Sequence, residues 1–154
     1  MSVRPATGAD AADLSRLHTL SFEDGWSEAD FVTWLGRAEA MAIVREDREP
    51  FAFGLALAAG DDAELLTIAT DPARRGQGAG RKVFRALDEL AASRGLKRWI
   101  LEVARNNLPA RGLYTGEGFV EIGVRKGYYK TRDGRVDALV MERPVGRSGG
   151  QGAA

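Results

Sequence analysis

A glycine-rich segment over residues 75–80 lies between an apolar strand and an amphipathic helix. Upstream, residues 65–70 are apolar enough for a buried strand, and downstream the apolar residues from Val83 to Ala91 recur at helical spacing. Glycines let the backbone approach a ligand closely, and a helix N-terminus offers free N–H groups with the helix dipole behind them. The pattern therefore predicts a site for an anion, most naturally for a phosphate group.

The spacing of these glycines separates the loop from two common phosphate-binding loops. A Walker loop ends in Gly-Lys-Ser/Thr, and no such ending is present here. The dinucleotide-binding fingerprint is Gly-x-Gly-x-x-Gly, whereas Gly76, Gly78 and Gly80 alternate. The order Arg75-x-x-Gly78-x-Gly80 resembles Arg/Gln-x-x-Gly-x-Gly/Ala, the pyrophosphate loop of the GCN5-related N-acetyltransferases (the GNAT family). Taken alone, it is equally typical of a solvent-exposed turn.

A carboxylate and a phenol follow where they could act as a base and an acid. Glu102 lies in an apolar strand expected over residues 99–103, on the opposite face from Leu101 and Val103. A carboxylate in such a strand is costly unless it is paired or functional. Glu102 is therefore either a general base or the ion-pair partner of a neighbouring arginine. Tyr114, in the following helix, is either a general acid or a core aromatic residue.

Further motifs extend the resemblance to the GNAT family over residues 3–143. In chain order they are Gly25-Trp26-Ser27 with Phe31, Leu101-Glu102-Val103 with Asn107, Leu113-Tyr114 with Gly118-Phe119, Arg125-x-x-Tyr128-Tyr129, and Asp137-Ala138-Leu139-Val140-Met141. This set resembles the RimI-type branch, the ribosomal-protein-alanine N-acetyltransferases. One departure is Ala104, where that branch commonly has arginine; Arg105 follows one position later, and its role stays open.

The resemblance implies that an amine attacks the thioester of acetyl-CoA, with no metal ion. It implies that Glu102 takes the proton of the amine, directly or through water, and that Tyr114 protonates the leaving thiolate. Trp26, Tyr128 and Tyr129 become candidates for the acceptor site, with packing in the core as the alternative for Trp26.

The resemblance also implies how CoA is bound. Backbone groups of Ile68, Ala69 and Thr70 would hold the pantetheine arm, because that strand is splayed from its neighbour in the family. Asn107 would contact CoA near the sulfur, in addition to capping a helix. The pyrophosphate would lie on backbone N–H groups of Arg75, Gly76, Gln77, Gly78, Ala79 and Gly80. The basic side chains of Arg74, Arg75, Arg81 and Lys82 are expected to hold CoA phosphates.

The elements that must position these residues follow the order βααβββαβαββ. This order predicts a mixed sheet with helices on both faces. The resemblance implies the GNAT fold, an α/β (α+β) fold with a mixed, mostly antiparallel twisted sheet of six to seven strands. Asp10, Ser27 and Asn107 are expected to cap helices, and Gly95 to end one. The residues expected to face inward from the first two helices are Leu14, Leu17, Leu20, Phe31, Val32 and Leu35. Residues 1–146 are expected to form one domain and residues 147–154 a disordered tail.

Composition narrows the class of protein. The 154 residues balance 22 Lys and Arg against 22 Asp and Glu, so no bulk charge predicts binding to nucleic acid or to an anionic membrane. There is no cysteine, which excludes disulfides and a thiol nucleophile. We expect a cytoplasmic protein, because the first residues lack the apolar region of a signal peptide. We also expect the protein to be monomeric or weakly dimeric.

The leading hypothesis is an enzyme that acetylates the α-amine of a protein N-terminus, with alanine of a small-subunit ribosomal protein as the expected acceptor. A second hypothesis is acetylation of a small amine or an amino-acid analogue. A third, a non-catalytic acyl-CoA-binding module, is disfavoured by the presence of both Glu102 and Tyr114.

Overall fold

Seven strands form one mixed sheet in the order β1-β2-β3-β4-β5-β7-β6. The computed structural model describes residues 2–146, so the tail expected over residues 147–154 lies outside the described residues. The strands are β1 (Ser2–Pro5), β2 (Ala40–Asp47), β3 (Glu49–Ala59), β4 (Asp62–Thr70), β5 (Arg98–Ala104), β6 (Val120–Thr131) and β7 (Gly134–Pro144). The helices are α1 (Ala11–Ser21), α2 (Glu28–Leu35), α3 (Ala79–Ser93) and α4 (Leu108–Gly116).

The expected fold class is confirmed. The α-helices and strands follow the predicted order, with two additional 3-10 turns at Gly8–Asp10 and Pro72–Arg74. Neighbouring strands pair in antiparallel fashion except β4 and β5, which are parallel. A parallel pair needs a crossover, and the loop with α3 supplies it. The strand end, the loop and the helix N-terminus are therefore consecutive in space as well as in sequence.

The helices cover the two faces of the sheet with separate hydrophobic cores. On one face α3 buries Val83, Phe84 and Leu87 completely. On the other face α1 and α2 bury Leu14, Leu17 and Phe31 against Phe53 of β3. Burying each such side chain stabilises the fold by roughly 1.5–3 kcal/mol, so both helix layers are firmly attached to the sheet.

Two of the expected inward-facing residues point outward instead. Leu20 and Val32 are each 52% exposed. Helices α1 and α2 are short and amphipathic, and each presents only a narrow stripe to the sheet. Leu20 and Val32 lie beyond the edge of that stripe, which is why an apolar residue type alone misplaced them.

The helix boundaries follow the expected capping chemistry in three of four cases. Ser27 Oγ accepts a hydrogen bond from Asp30 N, and Asn107 Oδ1 accepts one from Ala110 N. Gly95, just beyond α3, has φ +76°, a backbone conformation that glycine adopts without strain. Asp10 precedes α1, but its carboxylate accepts two hydrogen bonds from Arg4 and one from Thr7 N instead of capping that helix.

Strand β4 separates from β5 halfway along its length. The pairing of β4 with β5 covers only Asp62 to Leu65, whereas its pairing with β3 continues to Thr70. The separation begins at an irregularity in which Leu55 pairs with Thr67 and Ala56 with Leu65, which leaves Leu66 as an extra residue. Such a bulge bends a strand and increases its twist. The second half of β4 therefore has one edge without a strand partner.

Candidate active site

A cavity of about 360 Å³ lies along the second half of β4, the part that does not pair with β5. It is lined from four elements: the end of α1, the second half of β4, the glycine-rich loop and the beginning of α4. The lining residues that sequence reasoning named are Ile68, Ala69, Thr70, Arg75, Gly80 and Asn107. Residues far apart in sequence thus meet at the strand edge that was expected to be splayed.

The glycine-rich loop turns β4 into α3 through two left-handed residues. Gly76 has φ +81° and Gly78 has φ +77°, and Gly78 is the N-cap of α3. The first bond within the helix runs from Lys82 N to Gly78 O, so the preceding N–H groups, which include those of Ala79 and Gly80, have no partner inside the helix. Free N–H groups at a helix N-terminus can bind an anion, and Gly80 lines the cavity.

Gly80 is required for a different reason from Gly76 and Gly78. A Cβ atom at this position would lie 3.3 Å from Leu113 Cδ2 and 3.9 Å from Thr70 Oγ1. The glycine therefore lets α3 begin close to both β4 and α4. The loop and the two elements that line the cavity are held together at this point.

Arg75 extends its side chain across the end of β4. Its Nε lies 3.4 Å from Thr70 O, and its Nη2 lies 3.2 Å from Ser21 Oγ in α1. The guanidinium is therefore at the cavity, where a phosphate could accept from it.

The other arginines expected to bind phosphate have protein partners. Arg74 lies 3.8 Å above the ring of Phe51 and is paired with Asp47, and Arg81 is paired with Glu117 at 3.2 Å. Lys82 lines a separate groove beside β1 and β2. The expected basic cluster is therefore dispersed, because successive residues of a helix point in different directions.

Glu102 forms an ion pair with an arginine. Arg125 Nη1 of β6 lies 3.0 Å from Oε1 and 3.2 Å from Oε2 of Glu102. The carboxylate is half-buried on β5, where Glu102 pairs with Val140 of β7. The pairing with a neighbouring arginine, which was the structural alternative for this residue, is present in the structure, and the paired Glu102 carboxylate remains partly exposed.

Tyr114 is a buried residue at the end of α4. Its ring packs edge-on against Phe119 with the ring centres 5.6 Å apart. Burial raises the pKa of the Tyr114 phenol well above its usual range, and the nearby Tyr129 adds to the increase. The phenol is therefore protonated at every working pH, and its ring also belongs to the larger core.

Tyr128 and Tyr129 follow on β6 and surround the ion pair. The Arg125 guanidinium lies 3.8 Å above the ring of Tyr128, and the two tyrosine rings are perpendicular with centres 5.2 Å apart. Burial and the charge of Glu102 raise the pKa of Tyr129. Tyr129 interacts electrostatically with both Glu102 and Tyr114, so the expected base and acid share one tyrosine neighbour.

Trp26 packs against neighbouring aromatic rings and does not line the cavity. Its ring stacks on His18 at 4.6 Å and lies 5.9 Å from the ring of Trp34. Trp26 N donates to His18 Nδ1 at 3.0 Å. His18 is buried, and burial lowers its pKa to about 4. Sequence reasoning missed this pair because a single histidine carries no spacing signal.

Arg105, the residue whose role was left open, is directed at β7. Its Nε lies 3.6 Å from Asp137 Oδ2, and its backbone N–H donates to Asp137 O. Asp137 also accepts from Gly127 N at 2.8 Å. Arg105 therefore holds the hairpin of β6 and β7 and does not contact Glu102.

Two further findings concern residues 2–146 as a whole. No helix in this part of the chain is long and apolar enough to cross a membrane. No group of three or more histidine, cysteine, aspartate or glutamate side chains in the same residues is arranged to hold a metal ion.

The chain is similar to known acetyltransferases in sequence and in fold. Residues 11–119 match the model of the acetyltransferase (GNAT) family. A [ribosomal protein bS18]-alanine N-acetyltransferase of Escherichia coli K12 is 35% identical over 120 residues, which cover 78% of this chain and 81% of that protein. The crystal structure of the E. coli ribosomal-protein-S18-alanine N-acetyltransferase superposes with a TM-score of 0.87 at 29% identity, covering 97% of this chain and 96% of that one.

A more distant solved structure shares the fold alone. It is a phosphinothricin acetyltransferase of Sinorhizobium meliloti in complex with acetyl-CoA. The TM-score is 0.82 at 21% identity, and the match covers 96% of this chain and 90% of that one. The same architecture is thus found in proteins named for a ribosomal protein and for a small molecule.

Proposed function

Because the chain belongs to the acetyltransferase (GNAT) family, we propose that it transfers acetyl from acetyl-CoA to the α-amine of a protein N-terminus, alanine of a small-subunit ribosomal protein. The observation that carries the proposal is the unpartnered edge of β4, which leads at one end into the glycine-rich loop; on β5, Glu102 directly follows Leu101, the last residue that pairs with β4. A pantetheine arm can pair with that edge as an added strand does. This pairing would bring the thioester of acetyl-CoA towards the Glu102 carboxylate.

The cofactor would be held mainly by main-chain groups. We assign the pantetheine arm to Ile68, Ala69 and Thr70, whose strand has a free edge. The pyrophosphate belongs on the N–H groups between Arg75 and Gly80, with the Arg75 guanidinium as an additional donor. Asn107 caps α4 with its Oδ1, which leaves its amide group to donate towards CoA near the sulfur.

Glu102 is proposed as the general base. The amine nitrogen attacks the thioester carbonyl carbon, its proton passes to Glu102 directly or through water, and a C–N bond forms. The C–S bond then breaks and releases the thiolate of CoA. A positioned base of this kind contributes typically 10²–10⁴ in rate.

Tyr114 is proposed as the donor to the leaving sulfur. Its raised pKa keeps the phenol protonated, which the role requires. A phenol with a raised pKa is a weak acid, but burial disfavours the charged thiolate too and raises its basicity in the same site. The proton transfer therefore stays close to balanced, and the products are the N-acetyl amide and CoA.

The acceptor is proposed to be an α-amine on kinetic grounds. Its pKa of about 7.7–8.0 leaves a usable neutral fraction near pH 7, whereas a lysine with a pKa of about 10.4 would need much stronger activation. Tyr128 and Tyr129 are proposed to border the acceptor and to restrict the first side chain to a small one. A ribosomal acceptor also implies a location in the cytoplasm.

Mass spectrometry of N-terminal peptides tests the proposal. The purified protein and acetyl-CoA are incubated with small-subunit ribosomal proteins, with a synthetic peptide that starts with alanine, and with the same peptide blocked at its N-terminus and carrying an internal lysine. We expect acetylation of the free alanine terminus only. Activity confined to the blocked peptide, or to a panel of small amines, would overturn the acceptor and leave the acetyl-CoA chemistry in place.

A further inference from the structure

Arg125 is the charged neighbour of Glu102. One of its N–H groups spans both carboxylate oxygens, at 3.0 and 3.2 Å. The same guanidinium is stacked 3.8 Å above the Tyr128 ring. These two contacts fix a positive charge beside the group that an acceptor amine must reach.

A lone carboxylate would be a poor base for an α-amine near neutral pH. The amine arrives mostly as an ammonium ion, because its pKa is about 7.7–8.0. An opposite charge within about 4–6 Å favours the charged form of a group and raises the pKa of a bound ammonium. The carboxylate would therefore bind and stabilise the unreactive protonated acceptor.

We propose that Arg125 is a positioning residue that prevents this trapping, because its charge cancels that of Glu102 and leaves the bound amine free to be neutral. The inference rests on the proposed function. Glu102 still offers a lone pair to the amine proton, since a carboxylate has about four acceptor sites and Arg125 occupies two. The pair thus keeps an acceptor for the amine proton while binding the ammonium form less tightly than a lone carboxylate would.

The other ionisable groups around Glu102 do not provide this cancellation. From β6, Tyr129 is kept neutral because burial raises the pKa of its phenol, and Tyr128 is a phenol beneath the guanidinium. From α4, Tyr114 is neutral for the same reason as Tyr129. From β7, the charge of Asp137 is taken up by Arg105 and by Gly127 N–H. Arg125 is the cation that faces the base.

Kinetics across pH 6–9 with the alanine peptide test the inference. Arg125→Met removes the charge and keeps an unbranched side chain over Tyr128, whereas Arg125→Lys keeps the charge. Arg98→Met is the matched control, because Arg98 of β5 is also a partly exposed arginine of the sheet bound to carboxylates, those of Asp62 and Glu142, each at 2.9 Å. Arg125→Gln replaces the methionine variant if that variant does not fold.

We expect Arg125→Met to lower kcat most strongly at low pH. The acid limb of the kcat profile should move up by roughly 0.5–1 pH unit, because kcat reports groups in the bound complex. The acid limb of kcat/KM should stay in place, since it reports the free amine. KM for the peptide should fall or stay constant below pH 7, while Arg125→Lys and Arg98→Met keep the limb of the parent.

Two outcomes would overturn the inference. A uniform loss of kcat with an unmoved acid limb would mean that Arg125 only supports the hairpin. A rise in kcat would mean that the ion pair with Arg125 hinders Glu102 from acting as a base. Failure of the proposed function is distinguishable, because the parent protein would then leave the peptide unmodified. The same pH series would in that case be measured with the small amine that the parent does acetylate.

Discussion

The proposed cofactor site and the proposed acceptor site are built from different parts of the chain. The proposed cofactor side consists mainly of main chain: the free edge of β4 and the N–H groups of the loop at residues 75–80. The proposed acceptor side consists of side chains on strands β5 and β6. Glu102, Arg125 and the tyrosines at 128 and 129 are held there by an ion pair and by ring contacts.

This difference implies that the two sides respond differently to mutation. Main-chain recognition depends on backbone angles and on the absence of side chains, so it is damaged by steric bulk and is insensitive to charge. Side-chain recognition depends on charges and protonation states, so it is damaged by isosteric changes that leave the backbone intact. Substitutions that affect one side and spare the other are the direct test of this division.

Replacing Glu102 by Gln should have the largest effect. Turnover should fall by roughly 10²–10⁴, the usual contribution of a general base, because the amide cannot accept the amine proton. The affinity for CoA, measured by calorimetry, should be unchanged because the carboxylate is not among the proposed cofactor groups. Single-turnover assays at saturating acetyl-CoA measure the loss.

A Glu102→Gln variant with the parent's rate at neutral pH would mean that Glu102 is only the ion-pair partner of Arg125. The variant keeps a side-chain oxygen for Arg125 to bind, so its thermal stability should match that of the parent. This match separates a loss of chemistry from a loss of fold.

Replacing Gly78 by Val should weaken CoA binding by roughly 10² or more. The β-branched side chain would project where the pyrophosphate is expected, and φ +77° is rarely adopted by such a residue. Gly60→Val is the matched control, because Gly60 has φ +60° and open space around it but lies in the turn between β3 and β4.

Calorimetry of both glycine variants isolates the steric effect from backbone strain. We expect similar losses of stability in the two variants and a loss of CoA affinity only at position 78. If a folded Gly78→Val variant binds CoA as the parent does, the loop is not the pyrophosphate site.

Sequence reasoning predicted the backbone geometry of the glycine-rich loop better than the side-chain arrangement around Glu102, and the division above explains why. Glycines at 76, 78 and 80 report directly on backbone conformation, and the structure shows positive φ at the first two and a close approach at the third. The order of helices and strands along the chain and the helix ends at Ser27, Asn107 and Gly95 are local properties of the same kind. They are readable because each is set by a few adjacent residues.

The ion pair of Glu102 with Arg125 joins residues 23 positions apart. It depends on the register of β5, β7 and β6, and that register includes irregularities between Glu121 and Gly123 and between Arg125 and Tyr129. No local signal fixes such a register. The burial of His18 was missed for a related reason, because it follows from how α1 meets the segment before α2.

Replacing Tyr114 by Phe should have a smaller effect than either substitution above. The change removes one hydroxyl and keeps the ring that packs against Phe119, so the fold and the affinity for CoA should be retained. Turnover should fall by roughly 10–10², the lower part of the range for acid–base assistance. Acetyl transfer from a donor with a more acidic thiol should be less impaired, since that leaving group needs less help. An equal loss with both donors would identify Tyr114 as a packing residue.

The smallest effect on activity at neutral pH is expected at His18, whose influence is on stability in acid. Burial lowers its pKa to about 4, compared with about 6.5 in an unfolded chain. The unfolded state therefore binds more protons between these values. The contribution of His18 to the free energy of unfolding is complete above pH 6.5. It is lost as the pH falls towards 4, by roughly 2–3 kcal/mol.

His18→Asn tests this, because its amide oxygen can still accept the Trp26 N–H that His18 Nδ1 accepts but does not titrate. Free energies of unfolding from urea titrations between pH 4 and 7.5 should show a shallower pH dependence in the variant. The carboxylates near Arg4 and Arg98 titrate in both proteins, so the difference between the two curves reports His18 alone. Parallel curves would mean that the imidazole takes up its proton within the folded protein. The contact of His18 with Trp26 would then be more open to water than the burial of His18 indicates.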